Sequence, residues 1–271
     1  MRYQDIDWDT MWRESRAHKS WKKKKSSDWD RRAASFAERN IDSPFVAQFI
    51  SHLHIEPEWT VLDVGSGPGT LAIPLAGQVR QVTALDYSGA MLGELDKRAQ
   101  AANLKNITTI QGSWSDDWQA LAIPRHEVAI ASRSLSVDDL QGALRKLNAW
   151  ASKAVYLVDR VGAGPFDPFL FGAIGRNFEP GPDYIFTVNI LYILGIRAHV
   201  DFISLDPKRI YGSREEALQS HRWMVDDLTA GEEKRLTAYV DARLSQLDEQ
   251  TWQFTRQTAP QWALIWWQKE G

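Results

Sequence analysis

The sequence predicts an α/β fold with a mostly parallel sheet and helices on both faces. Two observations predict it. Between Thr60 and Gly162, short β-branched runs alternate with segments of helical periodicity, the pattern of parallel strands joined by helices. One of those strands runs straight into a glycine-rich turn, Gly65-Ser-Gly67-Pro-Gly69-Thr70, placed where open α/β sheets bind ligands.

Residues 1–50 read as a basic amino-terminal segment and lid helices. Seven basic residues and one acidic fall between Arg13 and Lys25. Residues 51–162 form the core, with strands at Thr60–Val64, Gln81–Asp86, Ile107–Gln111, Glu127–Ser132 and Ala154–Asp159. Met91, Leu92, Leu95, Ala99 and Ala102 repeat at helical spacing, as do Leu140, Leu144, Leu147 and Ala151, so each set gives one stripe to pack on a sheet. Residues 163–228 are an insertion that starts with Gly and Pro punctuation around a Phe-rich surface. Within it, Ser213-Arg-Glu-Glu216 is a capping box that opens a helix toward Leu228. Residues 229–271 close the chain with a helix from Gly231 to about Gln250 and two strands, Thr251–Gln257 and Trp262–Gln268. An Ala259-Pro260 turn joins those strands as a hairpin and brings the strand total to seven.

Composition narrows the function. The 271 residues are 44% hydrophobic and 25% charged, enough for a substantial core. Cysteine is absent, which excludes disulfides, thiolate metal sites and thiolate nucleophiles. The six histidines form no metal-ligand spacing, so no metal is expected. A net charge of −3 gives no global field for nucleic acid. The start of the chain carries acids and no apolar stretch, so no secretion signal is visible and a cytoplasmic location is expected. The most apolar stretch, Tyr184 to Ala198, is too short to cross a membrane.

The strand Val61-Leu-Asp-Val and its glycine turn let a ligand approach the backbone, and the helix that follows favours an anion. Asp86, ending the second strand, can accept both hydroxyls of a ribose; capping the helix after Ser88 is its structural alternative. A dinucleotide enzyme would show G-x-G-x-x-G, whereas this turn reads G-x-G-x-G with Asp63 just ahead.

That spacing resembles the first motif of class I S-adenosylmethionine-dependent methyltransferases, in their small-molecule branch, and the resemblance runs from Thr60 to about Asp159. It implies a Rossmann-like sheet and S-adenosylmethionine as cofactor. It implies that Asp63 orients the amino acid end of the cofactor, that Gly65, Ser66, Gly67, Gly69 and Thr70 line it, and that Asp86 holds the ribose. Tyr87 and Met91 then flank the adenosine. The family's third motif often has an acid after Gly; here Gln111-Gly112-Ser113-Trp114 lacks it, which leaves adenine to Ser113, backbone groups and the face of Trp114. Ser132 ends the fourth strand beside the cofactor, and Arg133 is either a salt-bridge partner or an anchor for an anionic acceptor. The segment Trp29-Asp-Arg-Arg32 resembles a lid helix, with Trp29 and Arg32 covering the cofactor's carboxylate. In the insertion, read as the acceptor cap, Tyr192 and His199 are the catalytic candidates beside Arg133. His199, with Asp201 near it, is the candidate general base, against a purely structural histidine.

The expected activity is methyl transfer to a small molecule by in-line displacement. An RNA methyltransferase that uses Lys22 to Lys25 as its footprint, a noncatalytic cofactor-binding protein and a nicotinamide dehydrogenase are the alternatives, the last disfavoured by the loop spacing. No membrane partner is expected, and a homo-oligomer is compatible with the sequence.

Overall fold

The computed structural model describes residues 2–20, 25–39 and 43–269. A 3-10 turn at Tyr3–Asp5 leads into α1 (Trp8–Ala17), α2 (Ser26–Asp30), α3 (Ala33–Arg39) and α4 (Pro44–Ser51). The core then alternates as β1 (Thr60–Val64), α5 (Ala72–Ala76), β2 (Gln81–Asp86), α6 (Gly89–Ala101), β3 (Ile107–Gln111), β4 (His126–Ser132), α7 (Leu140–Trp150) and β5 (Ala151–Arg160). After it come α8 (Pro168–Ile174), α9 (Tyr184–Ile193), β6 (His199–Ser204), β7 (Lys208–Tyr211), α10 (Arg214–Arg222), α11 (Ala230–Asp241), β8 (Leu244–Gln246), β9 (Trp252–Thr255) and β10 (Gln261–Gln268).

The main sheet has seven strands in the order β3-β2-β1-β4-β5-β10-β6, with β10 antiparallel to both neighbours and the other pairings parallel. Strand order reverses between β1 and β4, which opens a crevice at their carboxyl ends. Of the predicted helical stripes, Met91, Leu92, Leu95 and Ala99 are buried on α6 and Leu140, Leu144 and Leu147 on α7, whereas Ala102 is exposed past the end of α6 and Ala151 opens β5. α6 is capped by Ser88, whose side chain accepts from the Met91 N–H, and α7 is capped by Asp139, which accepts from the Gly142 N–H. One core layer lies under α4, α5 and α6, with Phe45, Phe49, Leu75 and Leu95 at its centre; the other lies under α1, α7 and α9, with Trp12, Leu144 and Ile190.

Three expectations are corrected. The two last strands do not form a hairpin: β10 enters the main sheet between β5 and β6, while β9 pairs with β7 and β8 in a separate three-stranded sheet. Trp262, Ala263, Leu264 and Ile265 are buried on both faces, and such a strand needs a neighbour on each side. The helix expected up to Gln250 ends at Asp241, because the chain turns into β8. The insertion is not one cap over residues 163–228. α9 covers a sheet face and β6 joins the main sheet. α8, α10 and α11 instead gather with β7 to β9 around a separate core of Phe171, Leu218, Leu236 and Phe254. Among the described residues, no helix is long and apolar enough to cross a membrane.

Candidate functional site

The crevice is built from the turns after β1, β2, β3 and β4. Gly65, Gly67 and Gly69 all have positive φ. Space also demands glycine at position 65, where an added Cβ would lie 2.3 Å from the Cβ of Ser134, in the loop after β4. At Gly67 an added Cβ would meet nothing within 4 Å, so that side of the turn is open. The Gly65 and Ser66 N–H groups donate to the Leu85 carbonyl at 2.7 and 3.1 Å, which hangs the turn on β2.

Asp86 holds the turn from the other side. One carboxylate oxygen accepts from the Gly67 N–H at 2.8 Å and the other from the Ser88 N–H at 2.9 Å. Each oxygen keeps a second lone pair, so two acceptors remain for a pair of ribose hydroxyls. Burial raises the Asp86 pKa against the pull of those backbone donors.

Asp63 is 2% exposed, and burial together with the Asp86 charge pushes its pKa up to about 7. Its Oδ2, the Ser66 Oγ and the Thr70 Oγ1 are buried without hydrogen-bond partners. Buried polar atoms are nearly always paired, so three unpaired ones gathered at one turn make a candidate ligand site. A cationic ammonium beside Asp63 and a polar amino acid tail along Ser66 and Thr70 match them, so the donor set fits S-adenosylmethionine.

The lid is docked. Ser88 Oγ donates to the Asp30 carboxylate of α2, and the Trp29 indole is a hydrogen-bond partner of the Tyr87 phenol, whose pKa burial and Asp86 raise to about 12. Trp29 is thereby held against Tyr87, the residue that follows Asp86. Arg32 stacks on Trp223 of the small lobe, 5.3 Å from its ring centre, and ties lid to lobe. Lys22, Lys23 and Lys24 lie outside the described residues, and Lys25 precedes α2.

After β3, Ser113 is bonded to the exposed Asp116, whose Oδ2 accepts from the Ser113 N–H at 2.7 Å and from its Oγ at 3.0 Å. Asp116 thus places an acid four residues after Gly112, at the end of β3. The signal for it is Ser113-x-x-Asp116, a side chain that folds back on a turn. Trp114 serves the neighbouring loop, donating to the Ser134 carbonyl at 3.0 Å. Met91 is 2% exposed and belongs to the packed stripe of α6.

Ser132 Oγ is buried without a partner at the end of β4. Arg133 follows with φ +59°, its N–H held by the Val158 carbonyl at 2.9 Å. Its guanidinium lies 4.4 Å from the ring centre of Phe45 and 5.6 Å from that of Trp262, two rings that sequence reasoning missed.

The other two catalytic candidates are not brought to the crevice. His199 opens β6, four strands from β1, about 19 Å at the usual strand spacing. It stacks on Trp266 at 4.2 Å. Tyr192 is exposed on α9, edge-on to Tyr3 and beneath Arg197. Asp201, read as the neighbour of His199, accepts from the Trp266 indole at 2.8 Å.

Comparison with known proteins agrees with this geometry. The family described as a methyltransferase domain matches residues 61–153. An uncharacterized protein of Haemophilus influenzae is 36% identical over 242 residues, 88% of each chain. Two solved structures share the fold at a TM-score of 0.56. One, from Bacillus halodurans and described as a presumed methyltransferase, is 13% identical, covering 84% of this chain and all of that one. The other, the YcgJ protein of Bacillus subtilis, is 15% identical, covering 83% of this chain and 98% of that one.

Proposed function

We propose that this chain, which belongs to the class I S-adenosylmethionine-dependent methyltransferases, passes the methyl group to a small-molecule acceptor. The observation that carries this reading is the Arg133 guanidinium, held at the carboxyl end of β4 against the rings of Phe45 and Trp262. Small-molecule sites have this makeup, a mostly apolar wall with few directing polar groups. An RNA enzyme needs Lys and Arg spread around the site.

Bound in the crevice, S-adenosylmethionine supplies an electrophilic methyl group on a sulfonium. The chain supplies position. Asp63, Ser66 and Thr70 hold the amino acid end, Asp86 the ribose, and Asp116 with the Ser113 turn the adenine side. α2 and α3 exclude water. In-line displacement depends chiefly on alignment, so positioning by these residues is the chain's main contribution.

The test incubates the protein with methyl-labelled cofactor and a cell extract separated into low-molecular-mass, RNA and protein fractions. Label in the low-molecular-mass fraction supports the proposal. Label confined to RNA or protein overturns it.

A further inference from the structure

Arg133 is the least explained charged residue in the crevice. Its backbone is in the left-handed region, which costs a non-glycine residue energy and is found where a side chain must be aimed. Among the described residues it makes no ion pair and no side-chain hydrogen bond; its guanidinium contacts are the faces of Phe45 and Trp262. The side chain still reaches solvent, although protein surrounds it closely enough that burial lowers its pKa to about 10.

Two further groups nearby have unused hydrogen-bonding capacity. Trp262 is 5% exposed, and its indole Nε1 is buried without a partner. The Ser132 hydroxyl, one residue before Arg133, is buried without a partner as well. A guanidinium, an indole N–H and a hydroxyl offer donors to an anion and no carboxylate to compete with it. The rings of Phe45 and Trp262 support the guanidinium, whose forked N–H groups suit a planar, two-oxygen group.

We infer that Arg133, with Trp262 and Ser132, is a carboxylate site beside the crevice, and that the methylated substrate is a carboxylate-bearing small molecule. The inference rests on the small-molecule reading above. The carboxylate chemistry has a second source in the cofactor's own amino acid tail, and the two are separable. Asp63, Ser66 and Thr70 already provide unused polar atoms at that tail, which leaves Arg133 to the acceptor.

The experiment uses the full chain saturated with S-adenosylhomocysteine and titrates benzoate against benzyl alcohol as its uncharged counterpart. Wild type should bind benzoate and not benzyl alcohol. Arg133→Met keeps the apolar stem, and it should weaken benzoate about tenfold or more while S-adenosylhomocysteine binds as in wild type. Trp262→Phe keeps the ring and removes only the N–H, and it should weaken benzoate by a smaller factor. Unchanged cofactor binding shows that both variants are folded. Benzoate that fails to bind wild type, or binds Arg133→Met equally well, overturns the inference. So does a loss of S-adenosylhomocysteine affinity in Arg133→Met with 5′-methylthioadenosine, which lacks the amino acid tail, unaffected. Label found only in RNA overturns both proposals; label in a small molecule with benzoate indifferent to Arg133 overturns this one alone.

Discussion

Ser88 Oγ donates a 2.6 Å hydrogen bond to the Asp30 carboxylate across 58 residues of chain. The same hydroxyl accepts from the Met91 N–H at 3.1 Å, so Asp30 reinforces the cap of α6 from outside. Asp30 also accepts from the Ala90 N–H at 3.4 Å. Lid docking and the helix beside the ribose site thus share one polar junction.

Asp30→Ala should release that junction. The loss expected is about 1 kcal/mol, typical of a helix cap. It should appear as faster amide exchange in residues 25–39 and weaker S-adenosylhomocysteine binding, with the main sheet unchanged. An exchange profile identical to wild type would show that the lid docks without Asp30.

Asp86→Ala should weaken S-adenosylhomocysteine by about 1.5–3 kcal/mol per charged hydrogen bond lost, read by calorimetry. It also strips the Gly67 and Ser88 N–H groups of their acceptor. Asp86→Asn keeps one acceptor oxygen and should fall between the two. Equal affinities in all three proteins would reduce Asp86 to a capping residue.

Asp63 makes cofactor binding depend on pH. Its pKa of about 7 in the folded, ligand-free chain exceeds the ordinary 3.8, so the folded state holds a proton that the unfolded state has lost. The stabilisation is complete below about pH 4 and disappears as pH rises through 7, worth up to about 4 kcal/mol. The melting temperature of the ligand-free protein should therefore fall from about pH 5 to pH 8, and Asp63→Asn should flatten that slope. Binding a cationic ammonium favours the carboxylate. Calorimetry at about pH 6 in buffers of different ionisation enthalpy should show release of a proton, absent in Asp63→Asn.

His199→Ala and Tyr192→Ala should leave cofactor affinity and turnover as in wild type. His199→Ala removes the stack on Trp266 and should cost about 0.5–1.5 kcal/mol of stability. A selective loss of turnover in His199→Ala, with stability intact, would return that residue to the chemistry.

Local pattern makes the five core strands, the glycine turn, Asp63 and Asp86 legible in the sequence, because each sits within a few residues of the strand that positions it. Asp30, Phe45 and Trp262 are not legible in that way. They arrive at the crevice from distant segments, and nothing within a short window says which aromatic of many will line a cleft. The hairpin expectation for β10 weighs a turn signal above the run Trp262-Ala-Leu-Ile-Trp-Trp, whose lack of polar alternation marks an interior strand. His199 and Tyr192 were sensible candidates by composition, but β6 and α9 carry them to the sheet edge and an outer helix face.

The placement of β10 governs the order in which the sheet can assemble. β6 pairs with β10 alone, and residues 205–260 intervene, so half of the ladder that holds β6 is absent until a much later stretch of chain arrives. The strands β1, β2 and β3, joined in sequence by short crossovers, have no such delay. Folding the intervening stretch into its own lobe shortens the loop that must close. Refolding followed by pulsed exchange should therefore protect the lobe and the first strands early, with β6 and β10 gaining protection together in a slower phase.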